Sequence, residues 1–481
     1  MTPAAPINQP ERYGLSSLDP QASVPLYQQI YLRLRNAITE GLIAPGERIP
    51  AARALAKELG LARGTIESAY SLLVSEGYVQ AKGQAGTIVM PGLDHMPGGS
   101  SLLQSPAATP LAALPRQPAV PPFQLGLPAL DAFPRKVWAR LAARCARSTQ
   151  PQDMVYPLFG GATPLREAIA GYLRVSRGID CVPQQVFITS GYRETLDLLL
   201  RTLLAPGDKV WVEDPGYEPT RNVLRKAAVE LVPVPVDEEG VCVQDGERDN
   251  PDARLAVVTP AHQSPLSVSL SLPRRLALLD WAARNNAWIL EDDYDGEYRY
   301  QGKPLPALKS LDSQGRVIYS GTFSKVMFPG LRLAYFVVPQ AIVSRFDAAV
   351  KTLGGGVPAL TQAIVTAFMK EGHFSRHIQR MRRLYTERRE EVAAGLMDIL
   401  GHRMRADLQP GGMHLILRAR DAAQFDDVAL ACRIREQGMF ADGLSRWYLK
   451  PSSSHGLLLS FTNVPSREAA RDLGKRILPL L

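Results

Sequence analysis

Residues 317–332 read VIYSGTFSKVMFPGLR, and residues 288–295 read WILEDDYD. Each is a short apolar run of strand type that ends in polar residues. The first delivers Thr322, Ser324 and Lys325, with Arg332 seven residues further on. A lysine after a strand, between hydroxyls and near an arginine, has the parts of an amine that attacks carbonyls. A neighbouring cation and partial burial lower its pKa and free the nitrogen. Taken singly, such a lysine is an ordinary surface cation. The second run puts four carboxylates, Glu291, Asp292, Asp293 and Asp295, around Tyr294 within five residues. At a strand end these charges need either solvent or partners. A metal would be one such partner, but no EF-hand spacing appears and hard cations favour ligands on a looped frame. No metal is expected.

Outward from these runs lie further strand-type stretches at 186–189, 209–213 and 255–259, with helical stretches such as 274–284 between them. The alternation argues for an α/β domain with a mostly parallel sheet. Ligands of open α/β sheets gather beyond the carboxyl ends of the strands. Two more segments stand there. ITSGYR (188–193) turns from strand to helix through Gly191, and free N–H groups at a helix start suit a phosphate. Most such turns bind nothing. VEDPGY (212–217) places Tyr217 where a flat heteroaromatic ring could stack; the plainer reading is a surface tyrosine in a turn. The last hundred residues, from about 390, read as a smaller α+β unit.

Upstream, residues 91–122 (PGLDHMPGGSSLLQSPAATPLAALPRQPAVPP) carry recurrent proline and no apolar period. They read as a linker able to reach on the order of 100 Å if extended, either a working tether or a passive spacer. Before it, Leu26, Ile30, Leu34 and Ile38 recur every four residues on one helical face. Two further helices are expected at about 51–59 and 63–76, then short strands at 78–80 and 87–90. Three helices and a hairpin within residues 21–90 make a winged helix-turn-helix. Its second motif helix would present Arg63 and Thr65 to base edges or phosphates, with Arg53 at a phosphate or base and Lys82 at the adjacent backbone. Each of these cations, alone, is a solvated surface charge; the pattern as a whole favours DNA.

The bulk properties fit such a chain. Its 481 residues need two or three domains. The net charge of +8 permits an anionic partner without naming one, and residues 21–90 hold seven Lys/Arg against five Asp/Glu. The four cysteines are too scattered for a zinc site or a disulfide framework. There is no apolar run long enough for a membrane span, and the first ten residues lack the layout of a signal peptide. A cytoplasmic location is expected.

The N-terminal motifs PLYQQI (25–30), GLIAPGERIP (41–50), RGT (63–65) and EGY (76–78) resemble the DNA-binding domain of the GntR family of regulators. Ala51-Ala52 stands where that family usually has Ser or Thr, and Glu67 where a basic or small residue is more usual. The four downstream segments, in their order, resemble the fold-type-I pyridoxal 5'-phosphate enzymes of the class I aminotransferase family, over about 123–481. That resemblance implies an internal aldimine at Lys325, Asp292 at the pyridinium nitrogen, Tyr294 at the phenolic oxygen and Tyr217 on the ring. It puts Gly191, Tyr192, Arg193, Thr322, Ser324 and Arg332 around the phosphate, and Gln263 near the phenolic oxygen. The fusion resembles the MocR subfamily. It implies a homodimeric, pyridoxal-phosphate-dependent regulator that binds a double-stranded operator and responds to an amine, amino acid or vitamin B6 form through an aldimine. The alternative is a working aminotransferase that also binds DNA. Transaminases usually hold the substrate carboxylate with an Arg-x-Ser-Phe arginine; this chain has LLSF at 458–461. Arg446 could serve instead, or be a plain surface charge.

Overall fold

The computed structural model describes residues 18–22, 24–83, 86–92, 120–300, 306–353, 356–421, 425–450 and 454–481, with Tyr13 and Leu15. It divides into two compact units, residues 1–117 and 118–481. Most of the segment read as a linker, 93–119, lies outside the described residues.

In the first unit, helices Leu26–Thr39, Ala52–Leu59 and Arg63–Ser75 enclose Ile30, Leu34, Leu55, Ile66 and Leu73, all fully buried. Strands β1 (Arg48–Ile49), β2 (Val79–Ala81) and β3 (Thr87–Val89) form an antiparallel sheet in the order β1-β3-β2. The hairpin is the expected wing. β1 was not foreseen, because two residues are too few to show a period.

The second unit is built on an eight-stranded sheet. Its strands are β4 (Val186–Thr189), β5 (Lys209–Asp214), β6 (Glu230–Asp237), β7 (Gly240–Val241), β8 (Leu255–Val258), β9 (Trp288–Asp293), β10 (Val317–Thr322) and β11 (Ala334–Val337). Their order is β4-β11-β10-β9-β8-β5-β6-β7. β6, β5, β8, β9 and β10 run parallel, while β11 lies antiparallel between β10 and β4. Helices cover both faces, so neighbouring residues of one strand enter different cores. Val212 and Leu290 face one core, whereas Trp211 and Ile289 face the other, where Trp211 stacks on Trp281 at 3.9 Å. β6 escaped the sequence reading because Pro233 and Pro235 argue against a central strand. It pairs with β5 along one side, while β7 meets the other side only at Val236 and Asp237. The prolines therefore sit beside an almost open edge.

Strands β12 (Met404–Asp407), β13 (His414–Ala419), β14 (Asp442–Gly443) and β15 (Leu457–Ser460) form a second, antiparallel sheet in the order β12-β13-β15-β14. The expected boundary near residue 390 falls inside one continuous 28-residue helix, His373–Leu400. That helix packs on Ala359–Lys370 and on Arg467–Ile477, so the smaller unit shares an element with the larger. No helix among the described residues is long and apolar enough to cross a membrane.

Candidate functional site

The four carboxylates at the end of β9 have sorted themselves by partner. Glu291 accepts from the backbone N–H groups of Leu308 (2.7 Å) and Lys309 (2.8 Å). Asp293 accepts from the Tyr319 hydroxyl (2.7 Å) and pairs with Arg177 (2.7 Å). Asp295 Oδ1 meets His262 Nδ1 at 2.9 Å. Asp292 instead lines a cleft with Tyr192, Glu213, Tyr217 and Thr259. Burial, with the nearby charges of Asp293 and Glu213, pushes its pKa well above the usual carboxylate range, and only Lys325 opposes them strongly. Among the described residues, no group of three or more His, Cys, Asp or Glu side chains is arranged to hold a metal ion.

Lys325 lies on the short helix Phe323–Val326, directly after β10. Thr322 caps that helix by accepting from the Ser324 N–H (3.1 Å). Burial lowers the Lys325 pKa although Asp295 and Asp292 pull the other way. Its Nζ donates to the Gly126 carbonyl at 2.8 Å. Gly126 has a φ of +74°, and a Cβ there would stand 2.7 Å from that nitrogen. Only glycine suits both its backbone and its neighbour. Sequence reasoning missed Gly126, since no motif marks it.

Gly191, with a φ of +153°, opens helix Tyr192–Leu203 without a side-chain cap. The Arg332 guanidinium lies against it: a Cβ on Gly191 would be 3.2 Å from Nη2. Arg332 itself takes a left-handed backbone, φ +50° and ψ +55°. Such a conformation costs a non-glycine residue about 1–3 kcal/mol and clusters at ligand sites. Arg193 and Arg332 are exposed, so free N–H groups and two cations lie at one helix start. The Tyr192 hydroxyl bonds the Thr220 hydroxyl at 2.8 Å. Tyr217 is 39% exposed, with ring centroids of Tyr192 and Trp447 at 6.3 and 6.1 Å. The Tyr294 hydroxyl is buried with no partner in bonding geometry, and burial, with the Asp295 charge, pushes its pKa well above the usual range for tyrosine against a contact with Ser264.

Two expected residues are engaged elsewhere. Gln263 Nε2 donates to Glu213 (3.2 Å), the Pro215 carbonyl (2.7 Å) and the Ser264 carbonyl (2.9 Å), and its Oε1 accepts from the Leu266 N–H (3.0 Å). Its Nε2 donors are taken up by the loop around it, so in this structure Gln263 has no free donor for a cofactor oxygen. Arg446 is half exposed, and its fork is directed at Asp442 (3.1 Å) and Glu218 (3.8 Å) in this structure. Its segment does border the site, because Arg221 donates to the Trp447 carbonyl (3.0 Å) and so does the Gly216 N–H (3.0 Å). Leu458 is fully buried in an apolar cluster with Ile416 and Leu444. Glu213 is an addition. It accepts from Thr259 N (3.1 Å) and Oγ1 (2.5 Å), and burial pushes its pKa up to about 7. Its place at a strand end before Asp-Pro-Gly was the available signal.

In the first unit Arg53, Arg63 and Lys82 are exposed and Thr65 is half-buried. Arg63 starts its helix, whose N-cap Ala62 supplies no side-chain cap, so the helix start is open to a phosphate or base. Arg63 pairs with Glu67 at 2.7 Å across one exposed turn.

Residues 126–445 match the model of the class I and II aminotransferases, and residues 26–89 that of the bacterial regulatory proteins of the gntR family. A probable rhizopine catabolism regulatory protein MocR of Rhizobium meliloti is 37% identical over 477 residues, covering 96% of each chain. The chain belongs to the MocR-type regulators of the gntR family. Another such regulator, the HTH-type pyridoxine biosynthesis transcriptional regulator PdxR of Corynebacterium glutamicum, is 32% identical over 92% of this chain and 94% of its own. The second unit of this MocR-type chain is similar to LysN, an alpha-aminoadipate aminotransferase from Thermus thermophilus. The TM-score is 0.67 at 28% identity, over 75% of this chain and 92% of that one. An archaeal alanine:glyoxylate aminotransferase gives 0.68 at 26%, over 75% and 90%. The MocR-type protein is thus a DNA-binding transcription regulator whose large unit has the pyridoxal-phosphate-dependent aminotransferase fold.

Proposed function

We propose that this regulator binds pyridoxal 5'-phosphate at Lys325 and senses a small amine there. The observation that carries the reading is the buried, unpartnered Tyr294 hydroxyl, next to an Asp292 whose pKa burial raises despite Lys325 and a lysine whose pKa is depressed. When bound, the cofactor supplies an aldehyde that condenses with primary amines and a ring that withdraws electrons. Asp292 would hold the protonated ring nitrogen, a cation that would bring its own pKa back down. Tyr294 would donate to the phenolic oxygen, and Tyr217 would lie on the ring. Gly191, Tyr192, Arg193, Thr322, Ser324 and Arg332 would surround the phosphate. Burial keeps part of Lys325 neutral and able to attack a carbonyl.

The effector is an amine, an amino acid or a vitamin B6 form, and it acts by favouring one state of the large unit over another. The names of two relatives point to regulation of different pathways, rhizopine catabolism and pyridoxine biosynthesis. The working form is a homodimer in the bacterial cytoplasm, bound to a double-stranded operator. The exposed apolar run of Met154, Val155, Tyr156, Leu158 and Phe159, with Tyr156 at 95%, supports a partner surface on the large unit. We place the DNA-binding domain at 21–90, the linker at 91–122 and the cofactor domain at 123–481. Full transamination is disfavoured by Leu458 and by the engaged Arg446.

The test is the visible spectrum of purified protein with added pyridoxal phosphate, before and after borohydride. Wild type is expected to show a band that borohydride fixes onto the chain, and Lys325→Ala to lack it. A wild type without the band refutes the cofactor reading and leaves the DNA-binding role alone.

A further inference from the structure

One buried acid beside Lys325 has no part in holding the cofactor. Asp295 is 1% exposed; His262 takes its Oδ1, and its Oδ2 has no hydrogen-bond partner. A buried carboxylate oxygen without a donor is costly, so this one is matched to a donor that arrives with a ligand. A glycine packs beside it. A Cβ on Gly412 would stand 3.8 Å from Asp295 Oδ2 and 3.1 Å from Ser267 Oγ. Ser267 is 1% exposed, and its hydroxyl lies 3.4 Å from His414 Nε2, a nitrogen that also reaches the Pro265 carbonyl at 2.8 Å. The Asp295 charge is felt at the Lys325 amine, where it raises the pKa against the effect of burial.

The other wall is hydrocarbon. Leu458, Ile416 and Leu444 form an apolar cluster, joined by Leu125 and Leu266. Leu125 precedes Gly126, whose carbonyl holds Lys325, and Leu266 precedes Ser267. A carboxylate brought here would meet an anion and an apolar surface, with Arg446 held away by Asp442 and Glu218. A second ammonium would have no lone pair for Ser267. A hydroxyl satisfies both groups, donating to Asp295 Oδ2 and accepting from Ser267 Oγ.

We infer that Asp295 and Ser267, steadied by His262 and His414 and lying beside Gly412, form a subsite for the hydroxyl of an amino alcohol whose amine lies at Lys325. The subsite rests on the cofactor reading and narrows its effector class.

The experiment uses the full-length protein with pyridoxal phosphate, titrated with ethanolamine, propylamine and β-alanine. Binding is read from the visible band and, separately, by calorimetry. Ethanolamine is expected to bind about tenfold or more tighter than propylamine, the size of one hydrogen bond to a charged acceptor, with β-alanine weakest. Asp295→Asn should bring ethanolamine down to propylamine while the cofactor band persists, and Ser267→Ala should remove part of the preference. Equal binding of ethanolamine and propylamine with the band intact overturns the subsite alone, as does tightest binding of β-alanine. Loss of the band in Asp295→Asn makes Asp295 a cofactor residue and also overturns it. A wild type with no band removes the subsite and the cofactor reading together.

Discussion

At Gly126 a single methyl group would occupy the place of a lysine head, 2.7 Å from Lys325 Nζ, on a backbone at φ +74°. Gly126→Ala is therefore expected to weaken uptake of pyridoxal phosphate at least tenfold by absorbance titration, while operator binding in a gel shift persists. On the DNA side, Arg63→Ala should weaken operator binding by about 1–3 kcal/mol if Arg63 reads a guanine. Unchanged affinity in a gel-shift titration would remove it from the contact surface. The Arg63–Glu67 pair is exposed and so nearly neutral in energy, and it offers DNA little competition. Lys325, Asp292, Gly191 and Arg332 could be proposed from the sequence because motif residues sit close together there. Gly126 was not, because it meets Lys325 across 199 residues. The saturation of Gln263 was equally hidden, since its partners include Glu213 and Pro215, about fifty positions upstream.

At the scale of elements, β5 and β9 each carry a buried glutamate to the heart of the sheet. Burial pushes both Glu213 and Glu291 up to about 7 from an ordinary 4.5. A carboxyl whose folded pKa is raised binds more protons folded than unfolded, so its contribution to stability falls as pH rises from about 4.5 through 7. Lys309, lowered to about 8 by burial, adds no slope below that value. The melting temperature of the large unit should thus fall between pH 5.5 and 7.5, and Glu213→Gln should flatten the fall. A melting temperature that rises over that range would refute the assignment. The strands with unbroken apolar runs were readable within one or two residues at each end. β6 was not, because its prolines signal a break that only an open edge tolerates. The start of the smaller unit, read at about 390, falls within helix His373–Leu400, which runs unbroken across that position.

At the scale of the whole molecule, two units have separate cores on either side of a proline-rich segment. Ile66→Ala, in the first core, should cost about 2–5 kcal/mol there and abolish operator binding. The borohydride-fixed band of the second unit should survive unchanged, and scanning calorimetry should move only one of two transitions. Joined in a dimer, two DNA-binding units raise each other's effective concentration. The isolated residues 1–117 should accordingly bind an operator at least a hundredfold more weakly than the full chain in a filter assay. One contact then acquires a further meaning. The amine of Lys325 holds the carbonyl of Gly126, and the chain just before it is tied separately, the Pro121 and Pro122 carbonyls accepting from Asn463 Nδ2 and the Phe440 N–H. The segment that enters the large unit is thus stitched at several points, and the stitch at Lys325 is the one that a ligand of that amine would undo.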